Sequence, residues 1–214
     1  MKYLTIISFT CIFALCSCMG HKVRGSGILR TETRDLPTFE TITCEGSYEV
    51  QIECQAKQAL TIDADENLLP LIKTEVKNNA LRIYTEGNLQ PSKEIKIIAS
   101  VENLSEFTIH GSAHGDVSNV NNNVLAVEVN GSSKLHFNGK TTQLKITISG
   151  SSNIDATSLV AEDAKVRING SGDIHVWAVN SVDGKIHGSG NVKYSGNPIN
   201  VTQEINGSGT ISKE

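Results

Sequence analysis

One unit recurs through the second half of this 214-residue chain, and it limits the fold more than any local propensity does. Its fullest form is Ile168-Asn169-Gly170-Ser171-Gly172-Asp173-Ile174-His175-Val176. Gly-Ser pairs start at 111, 131, 150, 170, 188 and 207, which is a period of 18 to 20 residues. A fixed period of that size points to a stacked repeat. Two residues before each Gly stands a branched apolar residue: Ile109, Val129, Ile148, Ile168, Ile186 and Ile205. Four residues after it stands another apolar residue in five copies, Gly115 being the exception. Alternation on both sides, as in Lys165-Val166-Arg167-Ile168, is the period of a half-buried strand. No copy carries a 3.6-residue stripe, so helical repeats are excluded.

The unit therefore reads as strand, tight corner, strand and a looser return loop such as Asn180-Ser181-Val182-Asp183. Glycine at the corner accepts positive φ and lets a neighbouring backbone approach closely. Turns stacked about 4.8 Å apart would bury one apolar column. The expected fold is all-β: a right-handed β-solenoid, or β-helix, with coils of about nineteen residues and a less regular β-rich N-terminal half.

Equivalent positions of such a coil form rows. Five residues after each Gly come Asp116, His136, Asp155, His175, Lys193 and Ser212, predicted to face outward. One residue before it come His110, Asn130, Ser149, Asn169, His187 and Asn206. Alternating Asp and His on adjacent coils suit a charge ladder, or a ligand or divalent metal. Polar residues on strand faces also simply keep strange strands away. The motif of calcium-binding repeats is absent, with only Gly170-Ser171-Gly172-Asp173 near it. No cofactor is expected. The Ser after each corner Gly is present in all six copies, whereas a nucleophile has to be singled out beside a base. These serines are expected to form a hydroxyl ladder that satisfies corner backbone groups.

Residues 1–18 form a targeting segment, with Lys2 ahead of an apolar run from Leu4 to Leu15 that is too short to span a bilayer comfortably. Leu15-Cys16-Ser17-Cys18 resembles a bacterial lipobox, which implies that Cys18 is acylated and anchors the chain to a membrane. The localisation expected is that of an outer-membrane lipoprotein, with the leaflet left open because Met19-Gly20-His21-Lys22 is not acidic. Removing the segment takes one Lys and no acid, so the formal charge of -4 becomes -5. A mildly acidic chain of mixed sign argues against a nucleic-acid or anionic-lipid binder.

Residues 19–35 are polar and bear glycines, and read as a flexible tether. Residues 36–105 read as first coils and a covering sheet, and 106–214 as the regular solenoid packed continuously with them. Within the first half, Phe39–Cys54 is a degenerate strand-corner-strand unit with Ile42, Cys44, Val50, Ile52 and Cys54 facing inward. Pro70 breaks a short helical turn, and Asn78-Asn79 closes a hairpin. Cys44 and Cys54 read as buried, unbridged thiols, with a disulfide left open. At the other end, Ile211-Ser212-Lys213-Glu214 follows a corner with no capping helix. An open edge there is expected to accept a partner or a second copy of the chain.

The lipobox, Leu36-Pro37-Thr38-Phe39-Glu40-Thr41-Ile42, Asn67-Leu68-Leu69, the repeated Ile-x-Gly-Ser-Gly units and the ending Gly188–Pro198 resemble, in that order, one bacterial family. It is common in Bacteroidetes and is described as putative auto-transporter adhesin, head GIN domain. The resemblance implies a right-handed β-helical fold in an exported lipoprotein and carries no catalytic or binding residues. Two function classes follow. One is a non-catalytic envelope module, an adhesin or structural protein, that holds a protein or glycan partner. The other is a carbohydrate-active β-helix enzyme or a glycan-binding protein. An enzyme needs clustered carboxylates or bases in a groove. After residue 106 the only Arg is Arg167, and Trp177 and Tyr194 are the only candidate sugar platforms, so no enzyme is expected.

Overall fold

The computed structural model describes residues 22–214. The signal segment and Cys18 therefore lie outside the described residues. In chain order the elements are β1 (Lys22–Arg24), β2 (Leu29–Arg34), β3 (Thr41–Cys54) and β4 (Ala59–Asp65), then a 3-10 turn (Leu69–Leu71). There follow β5 (Ile72–Lys77), β6 (Ala80–Thr85), β7 (Asn88–Gln90), β8 (Lys96–Val101), β9 (Glu106–Gly150) and β10 (Asn153–Gly170). The chain closes with β11 (Asp173–Gly188), β12 (Asn191–Gly196), β13 (Asn200–Gly207) and β14 (Thr210–Lys213). The fold is all-β, with no α-helix among the described residues and hence no helix long and apolar enough to cross a membrane.

A twelve-stranded sheet runs in the order β14-β12-β11-β10-β9-β3-β8-β4-β2, with β13 beside β11 and the β5–β6 hairpin beside β3. It is mixed and not closed. From β9 onward the pairs between elements are all parallel, and they match residues one repeat apart, such as Ile148 with Ile168, Ile168 with Ile186 and Ile186 with Ile205. The reason is visible in the alternation: only that register keeps every β-branched residue on the buried face. Ile148, Ile168 and Ile186 are wholly buried, as are Leu135, Ile174 and Val192 four residues after the corners. One contiguous cluster of buried side chains extends from Phe39 to Ile211.

The corners explain the invariant glycine. Gly150 has φ +138°, and a Cβ there would overlap the carbonyl of Gly131 one repeat earlier. The same crowding recurs at Gly131, Gly170, Gly188 and Gly207, so the corners are piled in one row.

Three expectations need correction. The supposed tether is largely structured: β1 pairs with β7, β2 pairs antiparallel with β4, and Asp65 accepts hydrogen bonds from the Gly27 amide (2.7 Å) and from the amide and hydroxyl of Ser92. Its few apolar residues, without alternation, concealed strands that sit on an edge. The return segment Asn180–Asp183 is no loop, because β11 continues through it and pairs with β10 and β13. The corner hydroxyl ladder belongs to a different serine. Ser112, Ser132, Ser151, Ser171, Ser189 and Ser208 are exposed. Ser133 and Ser152, one place further on, point inward: Ser133 Oγ accepts from the Ala113 amide, and Ser152 Oγ accepts from the Ser133 amide and donates to the Gly131 carbonyl.

The first half follows the expectations more closely. Ile42, Cys44, Val50, Ile52 and Cys54 are buried, and Gly46 is a corner registered on Gly111. Asn78 and Asn79 both have positive φ between β5 and β6, as a tight hairpin turn demands. Pro70 sits within the 3-10 turn. Cys44 and Cys54 are both free, and burial pushes their thiols up to about 12 and about 11.

Candidate functional site

β9, β10, β11 and β12 bring His136, Asp155, His175 and Lys193 side by side in register, all at least partly exposed. Beneath them the next residue inward is buried in every copy, since the pleat alternates. Two positions earlier a second outward row holds Lys134, Asn153, Asp173 and Asn191, also in register. Between the rows lies a shallow depression of about 240 Å³ lined by Lys134, His136, Asn153, Asp155, Asp173 and His175, with Ile154 at its base. Sequence reasoning passed over Lys134, Asn153 and Asp173, although their shared outward parity with the His and Asp row was the signal available.

The row is partly wired. His136 Nδ1 lies 3.4 Å from Asp155 Oδ2. Asp155 Oδ1 accepts from the Thr157 hydroxyl at 2.6 Å and its amide at 3.0 Å. The Thr157 hydroxyl first, then its amide and neighbouring His136, hold the Asp155 carboxyl below its usual range. In the other row Asn191 donates to Asp173 at 2.8 Å, and Thr210 donates to Asn191 at 2.7 Å. The result is a strip of alternating charge and amide groups along the stacking direction. It suits hydrogen bonding to an extended polar partner. Among the described residues no three His, Cys, Asp or Glu side chains converge on a metal position.

Asp116 belongs to the first repeat, next to the irregular half. It is registered on Gln51 and lines a different depression with Gln51, Glu53, Thr61 and Ser118. The row next to the corners splits into pairs, with Asn130 Nδ2 lying 3.3 Å from His110 Nδ1 and Asn206 Nδ2 3.4 Å from His187 Nδ1. Of the two aromatic candidates, Tyr194 packs against the core, whereas Trp177 is 41% exposed beside Val160 at 43%.

The sequence signature of the family described as putative auto-transporter adhesin, head GIN domain, matches residues 38–198. The chain belongs to this family. A search among curated proteins gives no match. Among solved structures, a putative adhesin from Bacteroides fragilis is similar at a TM-score of 0.74 and 22% identity, covering 90% of this chain and 100% of that one. A putative lipid binding protein from Parabacteroides distasonis has a TM-score of 0.53 and 25% identity over 91% of this chain and 100% of its own. A putative adhesin from Parabacteroides merdae follows at 0.50 and 19%, covering 90% and 99%. The family and these adhesin-named neighbours suit a protein of the cell envelope or surface.

Proposed function

We propose that this family member is a non-catalytic adhesin of the cell envelope, exported as an outer-membrane lipoprotein through Cys18. On this reading, its regular half is a right-handed β-solenoid of about nineteen-residue coils. Support for the coil comes from the piled corners and the one-repeat register from β9 to β14. Support for the anchor is Leu15-Cys16-Ser17-Cys18. The observation that carries the binding role is the strip formed by His136, Asp155, His175 and Lys193 with Lys134, Asn153 and Asp173. Its donors and acceptors repeat at strand spacing, so it offers an elongated surface to a protein or glycan partner, and no single group is set apart as a catalyst needs.

The test is adherence of the lipidated protein, displayed on vesicles, to immobilised envelope proteins and glycans. The double variant His136→Ala/His175→Ala is expected to lose at least about tenfold in retention, since two hydrogen-bonding side chains leave partner groups unsatisfied. Retention equal to that of the unaltered chain would remove the strip from the reading. Glycan rather than protein is favoured by one observation, exposed Trp177, whose ring offers a stacking face.

A further inference from the structure

The strand that begins at Lys22 bears on how this protein meets its membrane. The inference rests on acylation of Cys18, as read above. If Cys18 carries lipid, the four residues from it to Lys22 reach at most about 14 Å even when fully extended. Lys22 is thus held within that distance of the headgroups, which lets it come within the Debye length of about 8 Å over which charge is felt.

What stands at that end is not neutral. From Met19 to Thr31 the sequence has Lys22, Arg24 and Arg30 and no acid, within a mature chain whose net charge is -5. Lys22 and Arg24 are exposed on β1. Arg30 is engaged by Glu66 at 2.9 Å, and Asp65, against Gly25 and Gly27, is buried under its own hydrogen bonds. Beside these cations Ile28 is 55% exposed and Leu29 44%. Two adjacent large apolar side chains open to water next to a cationic strand make a surface whose two features leaflet acyl chains and phosphates match.

The segment is also held firmly enough to act as a surface. Gly25 donates to the Gln90 carbonyl at 2.8 Å, Asn67 caps the Ser26 amide and the Arg24 carbonyl, and a Cβ on Gly25 would overlap the Asp65 carboxylate. We propose that Lys22–Leu29 is the membrane-contacting face: Ile28 and Leu29 enter the headgroup layer, and Lys22 and Arg24 meet lipid phosphates. The acidic charge of the whole chain conceals this local patch. The His and Asp strip is consequently held away from the bilayer, since β9 contributes two rungs and β10 and β11 lie six and seven strand steps from β2, about 29 to 34 Å along the sheet.

The single Trp177, on β11, makes the test direct. Full-length lipidated protein is reconstituted in vesicles of phosphatidylethanolamine and phosphatidylglycerol containing brominated acyl chains. The variant Ile28→Trp/Trp177→Phe is compared with the unaltered chain. Tryptophan at 28 is expected to be quenched by at least about half and shifted to the blue, with Trp177 unaffected. Adding Lys22→Gln and Arg24→Gln is expected to weaken that quenching severalfold. Mass spectrometry of the same sample reports the lipid on Cys18. Lipid present with no quenching at 28, or equal quenching at 28 and 177, overturns the contact face and leaves the anchor standing. No lipid on Cys18 overturns the anchor and the inference with it.

Discussion

The two halves of the sheet solve the same packing problem by different means. From β9 onward, one corner is reused: small residues, a row of branched apolar side chains, and parallel partners one repeat away. Before β9, parallel and antiparallel pairs mix, and each junction has its own solution. At the Gly46 corner the Tyr48 ring is buried, and its hydroxyl donates to the Glu45 carbonyl at 2.9 Å. At Phe39 the Gln58 side chain caps one amide and two carbonyls. Repetition makes every copy of a contact depend on its neighbour's shape, whereas unique junctions depend on particular side chains. Damage should therefore differ in kind between the halves.

The largest difference is expected at glycine. Gly150→Val places a branched side chain at positive φ against the Gly131 carbonyl and should cost at least about 3 kcal/mol, or prevent folding. Gly27→Ala, also at positive φ but with open space around it, should cost about 1 kcal/mol. Urea unfolding of both variants checks the contrast. Equal losses would mean that backbone conformation, not the neighbouring coil, dictates the corner glycines.

The next contrast is between hydrogen-bonded anchors. Ser152→Ala removes the acceptor of the buried Ser133 amide and should cost about 2 kcal/mol at every pH. Asp65→Asn should cost a similar amount, but its effect depends on pH. Burial alone would raise the Asp65 carboxyl, yet the Ser92 hydroxyl, the Ser92 amide and the Gly27 amide outweigh it and hold the group below its usual value. A carboxyl that titrates lower when folded gives stability that is complete above about pH 4 and is lost as pH falls through the folded value. Hydrogen exchange at Gly27 and at β1 should therefore quicken in acid in the native chain, and Asp65→Asn should make it fast already at neutral pH. Exchange indifferent to both would show that the β1–β7 pairing holds the N-terminal strap by itself.

These contrasts also show why one half was more legible than the other. The period of Gly-Ser pairs gave the strands, the inward parity and the piled corners because identical units have one mutually consistent register. The same logic put His136, Asp155, His175 and Lys193 in one row. It did not show that Asp116 also borders the irregular half through Gln51. Nor did it tell which serine turns inward, because Ser132 and Ser133 are alike in composition and only the pleat separates them. Lys22–Arg34 looked like a linker because edge strands carry few buried residues, and its partners are distant in sequence, Asn88 lying 66 positions from Lys22 on β7 and Asp65 lying 36 positions from Leu29 on β4.

The smallest effect on stability is expected where the effect on binding is largest. His136 and Asp155 are each 47% exposed at their side chains, and a polar contact in that setting contributes at most about 1 kcal/mol. His136→Ala should therefore leave thermal unfolding nearly unchanged. Ile154→Ala, one residue from Asp155 on the opposite face of β10, should cost about 3 kcal/mol. The two variants sit in adjacent repeats, one changing the outward row and one the core beneath it, so comparing adherence separates surface chemistry from the scaffold that supports it. Loss of adherence with unfolding intact in His136→Ala assigns the outward row to recognition. A loss of stability comparable to that of Ile154→Ala would make the His and Asp row part of the scaffold, and the repeated side chains of the regular half would then be structural on both faces of the sheet.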